Sequence, residues 1–75
     1  MDSEKQTEEI QKLADIASDL SHMVDLRTKA IELLGNTGTH EALLALLGLA
    51  GNDNMPVEER DLALKRARDI IKTGR

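Results

Sequence analysis

The chain has 75 residues and a formal net charge of −4, and it contains no cysteine, phenylalanine, tryptophan or tyrosine. This length suffices for one small domain, residues 1–75, which buries only about 60% of its unfolded surface and is therefore marginally stable. The missing cysteines exclude disulfides. The missing aromatic rings remove the platforms on which single-stranded nucleic acid stacks. The start, MDSEKQTEEI, is acidic and polar, so we expect no targeting peptide and a cytoplasmic location.

The first predicted helix covers about residues 4–23. Its apolar residues recur at helical spacing and form one stripe, namely Ile10, Leu13, Ala14, Ile16, Ala17, Leu20, Met23 and Val24. The apolar residues of the next stretch, 25–34, would point about 100° away from that stripe if the helix continued. We therefore predict a break near Val24 and Asp25, with Asp25 as the new N-cap. Neither glycine nor proline marks this break, so one long bent helix over residues 4–34 is the alternative.

Local signals predict the remaining boundaries. Gly35 is expected to end the second helix, so that residues 35–38, GNTG, form a turn. Thr39 is the expected N-cap of a third helix over residues 40–50, which Gly51 closes. Pro56 suits the first turn of a fourth helix, residues 56–72. The inner face predicted for this fourth helix consists of Val57, Ala63, Leu64, Ala67, Ile70 and Ile71.

The third predicted helix lies in the most apolar stretch, HEALLALLGLAG, residues 40–51. This run is about half as long as a transmembrane helix, and a helix that is apolar on most sides is usually buried. We therefore expect it at the centre of the core, with Leu43, Leu46 and Leu47 innermost. Gly48 costs about 1 kcal/mol relative to alanine inside a helix, which predicts the close approach of another backbone there.

A family resemblance covers residues 24 to about 64. A Leu-Arg pair is followed by a small residue, a Leu-Gly helix end and a turn glycine. Then come a Glu-Ala start, a leucine-rich second helix, and an Asp-containing loop with Pro-Val. The matching residues are Leu26, Arg27, Ala30, Leu34, Gly35, Gly38, Glu41, Ala42, Leu46, Leu47, Asp53, Pro56 and Val57. Together they resemble a HEAT-like repeat of the phycobilisome-lyase type. The resemblance implies an all-α fold, a four-helix right-handed α-α stack or bundle, and a role in binding proteins. It implies no catalytic residues.

No constellation of residues indicates an enzyme, a metal site or a cofactor. The segment HEALL begins like the zinc-protease motif His-Glu-x-x-His, but Leu44 occupies the position of the second histidine. His22 and Asp19 lie one helical turn apart, and a pair of solvated polar side chains is the simplest interpretation. We therefore expect a protein without catalytic activity, cofactor or small-molecule substrate.

Two functions remain. The first is a small protein–protein interaction or scaffolding domain. The alternative is a nucleic-acid-binding module that uses the turn at residues 35–38 and the basic fourth helix. From residue 54 onward the chain has six basic and four acidic residues, whereas its first 25 residues have two basic and seven acidic ones. The net charge of −4 disfavours nucleic acid and anionic membranes, so we expect the first function.

The expected partner is a protein, and a second copy of the chain in a symmetric dimer is one candidate. Single HEAT-like units lack the neighbours that cover their ends. Leu44, at the flank of the third helix, and Leu62, off the inner stripe of the fourth, are the predicted exposed apolar contacts. The basic residues Lys65, Arg68 and Lys72 complete the predicted partner-binding set.

Overall fold

The computed structural model describes the backbone of residues 3–73 and the side chains of residues 7–73. Four α-helices follow one another in this part of the chain: α1 (Ser3–Ser18), α2 (Val24–Thr37), α3 (His40–Ala50) and α4 (Val57–Lys72). No strand occurs among the described residues. The predicted all-α fold of four helices is therefore confirmed, and α1 and α2 are two helices rather than one bent helix.

The α1 helix ends five residues before the predicted boundary at Met23. Asp19 explains this, because its Oδ1 accepts hydrogen bonds from the backbone N–H and the hydroxyl of Ser21, at 2.9 and 2.6 Å. A side chain that bonds its own backbone two residues on stabilises a turn in place of a helix. Leu20 and Met23 consequently lie exposed in the connection instead of extending the apolar stripe of α1.

Both predicted ends of the second helix are also wrong. Met23, in extended conformation, takes the N-cap position before α2, and Asp25 lies in the first turn. Gly35 is inside the helix, which continues to Thr37 and closes on Gly38 at a φ of 70°. Glycine reaches this left-handed conformation without steric cost, so Gly38 rather than Gly35 is the terminating residue.

The boundaries of α3 and α4 agree with the prediction. Thr39 Oγ1 accepts a hydrogen bond of 3.1 Å from the backbone N–H of Ala42, which satisfies one of the free donors at the start of α3. Gly51 occupies the C-cap position of α3. Pro56 stands directly before α4, which ends at Lys72 as expected.

The helices form two stacked hairpins. Each hairpin packs its own two helices together, α1 on α2 and α3 on α4, and the hairpins meet through α1 on α3, α2 on α4 and α2 on α3. In the described part of the chain α1 and α4 do not contact each other. Each helix therefore contacts the two that flank it in the order α1, α2, α4, α3, and α2 also meets α3 across the centre, so one hairpin lies on the other as in an α-α stack.

The connections within the two hairpins have the same construction. Asn52 Oδ1 accepts a hydrogen bond of 3.0 Å from the backbone N–H of Asn54, as Asp19 Oδ1 does from Ser21. In the first connection the backbone N–H of His22 donates to the Asp19 carbonyl, and in the second that of Met55 donates to the Asn52 carbonyl, each at 3.0 Å. Local side-chain bonding of one type therefore ends both α1 and α3.

The helices after these connections correspond position by position. Asp19 and Asn52 are 33 residues apart, and so are Val24 and Val57, the first residues of α2 and α4. The same interval separates the buried small residues of these helices, which are Ala30 and Ala63. The second hairpin is thus a structural repeat of the first.

The core lies where the two hairpins meet. Its largest fully buried side chains are Ile31, Leu34 and Leu46. The central place predicted for Leu46 is confirmed, whereas Leu43 is half-buried and Leu47 is 42% exposed. The space around Gly48 is open, so the predicted approach of another backbone is wrong.

The inner face of α4 differs from the predicted one. Ala63, Ala67 and Ile70 are buried as expected, but Val57, Leu64 and Ile71 are exposed. Glu59 is buried in their place, at 4% exposure. The apolar pattern gave the wrong rotation of the helix because one inward-facing position is a carboxylate.

Candidate functional site

A buried ion pair joins the two hairpins. Nε and NH2 of Arg27, on α2, donate hydrogen bonds of 2.7 and 2.8 Å to the two carboxylate oxygens of Glu59, on α4. These bonds raise the pKa of the Arg27 guanidinium above its ordinary value. NH1 of Arg27 donates a further bond of 2.5 Å to the carbonyl oxygen of His22. All three guanidinium nitrogens donate and both carboxylate oxygens accept, so the pair joins the two hairpins.

A second polar contact lies farther along α2 and α4. NH2 of Arg66 donates a 2.7 Å hydrogen bond to Oδ1 of Asn36, and its NH1 lies 3.6 Å from Oδ2 of Asp69. The guanidinium rests on Gly35, where a Cβ atom would overlap it. Gly35 therefore serves close packing between helices. Nε of Arg66 is buried there without an acceptor among the described residues.

The turn expected at residues 35–38 is absent, because this segment is helical as far as Thr37. Asn36 in this segment accepts the bond from Arg66. The backbone amides inside a helix are used by the helix itself, so this segment does not offer the turn that the nucleic-acid-binding alternative requires. No structural observation favours the alternative of a nucleic-acid-binding module.

The described residues contain no group of three or more His, Asp or Glu side chains that could hold a metal ion. Nε2 of His22 lies 3.5 Å from Oδ2 of Asp19. The hydrogen bonds from Ser21 lower the pKa of the Asp19 carboxyl. Asp19 is thus part of a turn, and its pairing with His22 is a surface contact.

The predicted partner-binding residues do not form one site. Leu44 is 54% exposed, as expected, and borders a shallow cleft between α1 and α3. Leu62 is half-buried against the core, so its predicted exposure is wrong. The basic residues Lys65, Arg68 and Lys72 are exposed on α4, which does not contact α1.

Exposed apolar residues that sequence analysis had placed in the core occupy one end of the stack. Glu59 and Arg66 mark the side of α4 that faces α2, and Val57 and Leu64 each precede one of them by two residues. Two residues turn a helix through about 200°, so Val57 and Leu64 point away from α2. Ile71 continues this line at the same spacing.

Leu47 extends this surface onto α3. It follows Ala45, which lines the cleft against α1, by two residues and therefore points away from α1. We call Leu47, Val57, Leu64 and Ile71 the α3–α4 edge. Its members are between 38% and 60% exposed, and the heptad spacing of Val57, Leu64 and Ile71 is the signal that could have revealed it.

The opposite end of the stack is apolar as well. Leu33 precedes Gly35, the contact point of Arg66, by two residues and so points away from α4. Leu26 lies two helical turns before Leu33 in the same line, and both leucines are exposed. On α1, Ile16 follows the cleft residue Ala14 by two positions and is half-buried against the core, so it only borders this surface. We call Ile16, Leu26 and Leu33 the α1–α2 edge.

None of the described helices has the length and apolar character that crossing a membrane requires.

Comparison of the chain with protein-family models, with curated proteins and with solved structures finds no match.

Proposed function

We propose that the protein is a small protein–protein interaction or scaffolding domain without catalytic activity. The observation that carries this proposal is the pair of exposed apolar edges at opposite ends of the stack. Several apolar side chains exposed on one side of a small protein favour an interaction site there, because it is unfavourable to leave such side chains in water.

The arrangement of the helices supports the proposal. Two hairpins of the same construction stack with α1 on α3 and α2 on α4, as successive units of α-α repeat proteins do. The resemblance of residues 24 to about 64 to a HEAT-like repeat also implies a role in binding proteins.

Site-specific photocrosslinking in living cells tests the proposal. A photoreactive amino acid is introduced at Leu64, in the α3–α4 edge, or at Leu26, in the α1–α2 edge. The matched control is Glu58, which is exposed on α4 but turned about 100° from Val57. We expect covalent adducts with protein from the edge positions and none from Glu58. Equal yields at all three positions, or no adducts from either edge, would contradict the proposal.

A further inference from the structure

The outward face of α4 repeats the face with which α2 covers α4. The interval between α2 and α4 places Leu64 at the position of Ile31 and Arg60 at the position of Arg27. Ile31 is fully buried, whereas Leu64 is 38% exposed. The stack thus ends on a surface of the kind that it covers internally.

The outward face of α2 corresponds in the same way to the face with which α4 receives α2. Leu26 and Leu33 occupy the positions of Glu59 and Arg66, through which α4 contacts α2. A second copy of the chain placed at the α3–α4 edge would therefore bring Leu26 and Leu33 against Arg60 and Arg68, on either side of Leu64. The contact covers Leu26, Leu33 and Leu64, which are exposed in the single chain, and so removes apolar area from water.

The internal contact between α1 and α3 predicts a polar pair at such a junction. Thr7 Oγ1 donates a 3.1 Å hydrogen bond to Oε2 of Glu41. The corresponding residues at a junction between copies are His40 of one copy and Glu8 of the next, and both side chains are exposed. An imidazole N–H donates hydrogen bonds and a carboxylate accepts them, so the two side chains are complementary.

The outer sides of α2 and α4 supply a second polar pair. On the helical wheel of α2, Thr28 lies next to Gly35, and on that of α4, Leu62 lies next to Arg66. Thr28 and Leu62 therefore lie on the same outer side of the internal α2–α4 contact. Their counterparts at a junction are Asp61 of one copy and Lys29 of the next. These exposed side chains carry opposite charges, which favours this register of two copies over others.

We propose that the protein associates with itself head to tail, with the α3–α4 edge of one copy on the α1–α2 edge of the next. This inference rests on the proposed function and names a second copy as the partner. Two different surfaces meet, so the contact does not close into a symmetric dimer. Each added copy presents a new edge, so the assembly grows beyond two copies.

The junction is weaker than the internal contact for two reasons. Arg60 occupies the place of Arg27 but would meet Leu26 instead of a carboxylate, and it already bonds the Ala50 carbonyl and lies 3.6 Å from Asp53. Arg68 occupies the place of Gly35 and prevents equally close packing. We therefore expect reversible association that depends on protein concentration.

Sedimentation velocity over a wide range of concentrations, on the order of 10 μM to 1 mM, is the first test. The weight-average mass of the wild type should rise with concentration and pass the mass of a dimer without a plateau. A monomer at every concentration, or a plateau at the dimer, overturns the proposal.

Edge variants provide the decisive test. Leu64→Glu disables the α3–α4 edge, and Leu33→Glu disables the α1–α2 edge. Each variant alone should remain monomeric, with its self-association weakened at least about tenfold. A mixture of the two should form a one-to-one complex that stops at two chains, because each variant retains the edge that the other lacks. Failure of this mixture to associate overturns head-to-tail stacking.

Two controls protect this interpretation. Leu44→Glu changes a leucine of similar exposure outside both edges, and it should associate as the wild type does. Ile71→Glu repeats the disruption of the α3–α4 edge at a side chain that is 60% exposed, and it replaces Leu64→Glu should that variant fail to fold. The helical signal in circular dichroism checks folding in each case.

A charge exchange tests the register. Asp61→Lys and Lys29→Asp should each weaken association, and the variant that carries both changes should recover it, because the charges are reversed together. If the combined variant is weaker than either single variant, the proposed register is wrong.

The photocrosslinking experiment distinguishes self-association from interaction with another protein. Crosslinked adducts at Leu64 and Leu26 that contain only this chain support both. Adducts that contain only another protein keep the interaction function and overturn self-stacking.

Discussion

The two faces of the repeated helix show how the same pattern of residues leads to different surroundings. On α2, Arg27 and Ile31 are buried under α4. On α4, Arg60 and Leu64 occupy the corresponding positions but lie at the end of the stack, where Leu64 is exposed and Arg60 is half-buried. Residue type alone therefore does not determine burial here. The presence of a following hairpin does.

The largest expected difference in stability is between variants of the two corresponding arginines, Arg27 and Arg60. Arg27→Met leaves the Glu59 carboxylate buried without its partner, which is strongly destabilising. We expect the melting temperature, followed by circular dichroism, to fall by at least about 10 °C. Arg60→Met removes only a partly exposed contact and should shift the melting temperature by no more than about 3 °C. Similar shifts for both variants would remove the distinction between the covered and the open face.

The combined variant Arg27→Met/Glu59→Leu sharpens this test. Replacing both members of a buried pair by apolar residues avoids an uncompensated charge, so much of the loss should be recovered. A combined variant less stable than Arg27→Met alone would show that the hydrogen bond to the His22 carbonyl is the larger contribution.

The aliphatic pair should give the next largest difference. Ile31→Ala removes a fully buried side chain and should lower the free energy of unfolding by about 2–5 kcal/mol. Leu64→Ala, at the corresponding exposed position, should cost less than about 1 kcal/mol in dilute protein. Urea denaturation at low concentration measures both. Equal losses would mean that the outward face of α4 is covered in solution.

Replacing the two helical glycines by alanine should change the stability in opposite directions. Gly35→Ala places a methyl group where the Arg66 guanidinium packs, and it should destabilise the protein by about 1–3 kcal/mol. Gly48 lies in open space inside α3, so Gly48→Ala should stabilise the protein by about 0.5–1 kcal/mol. Thermal melts of the two variants decide this, and destabilisation by Gly48→Ala would indicate a contact on the outer side of α3.

The smallest effect concerns the two hairpin connections. The pKa of Asp19 is lower in the folded protein than its ordinary value of 3.8, so its contribution to stability is present above that value and is lost as the pH falls below it. Asn52 makes the corresponding turn but does not titrate in this range. Asp19→Asn should therefore reduce slightly the fall in melting temperature between about pH 6 and pH 3. If the melting temperature of Asp19→Asn falls between these pH values as much as that of the wild type, the pKa of Asp19 is equally low in the unfolded chain.

The residues that sequence reasoning located correctly carry local signals. Thr39, Gly51 and Pro56 act through their own backbone geometry or caps, so the bounds of α3 and α4 could be read directly. The end of α1 was missed because an ordinary Asp-x-Ser segment, rather than glycine or proline, makes the turn.

The errors about the site arise from contacts distant in sequence. Nothing near Glu59 indicates that it is buried, since its partner Arg27 lies on another helix. The true role of Gly35 likewise depends on Arg66. The exposed line on α4 was assigned to the core because Val57, Leu64 and Ile71 are apolar, although their spacing was visible.

Arg27 also affects how the protein folds. Repeat proteins can acquire structure one unit at a time, but this side chain is shared by the connection of the first hairpin, through the His22 carbonyl, and by the second hairpin, through Glu59. An isolated first hairpin would leave the guanidinium with one of its three hydrogen bonds and the apolar side of α2 in water. The two hairpins are therefore expected to form as one cooperative unit, and the central amides of α2 and α4 should exchange with solvent through a single global opening.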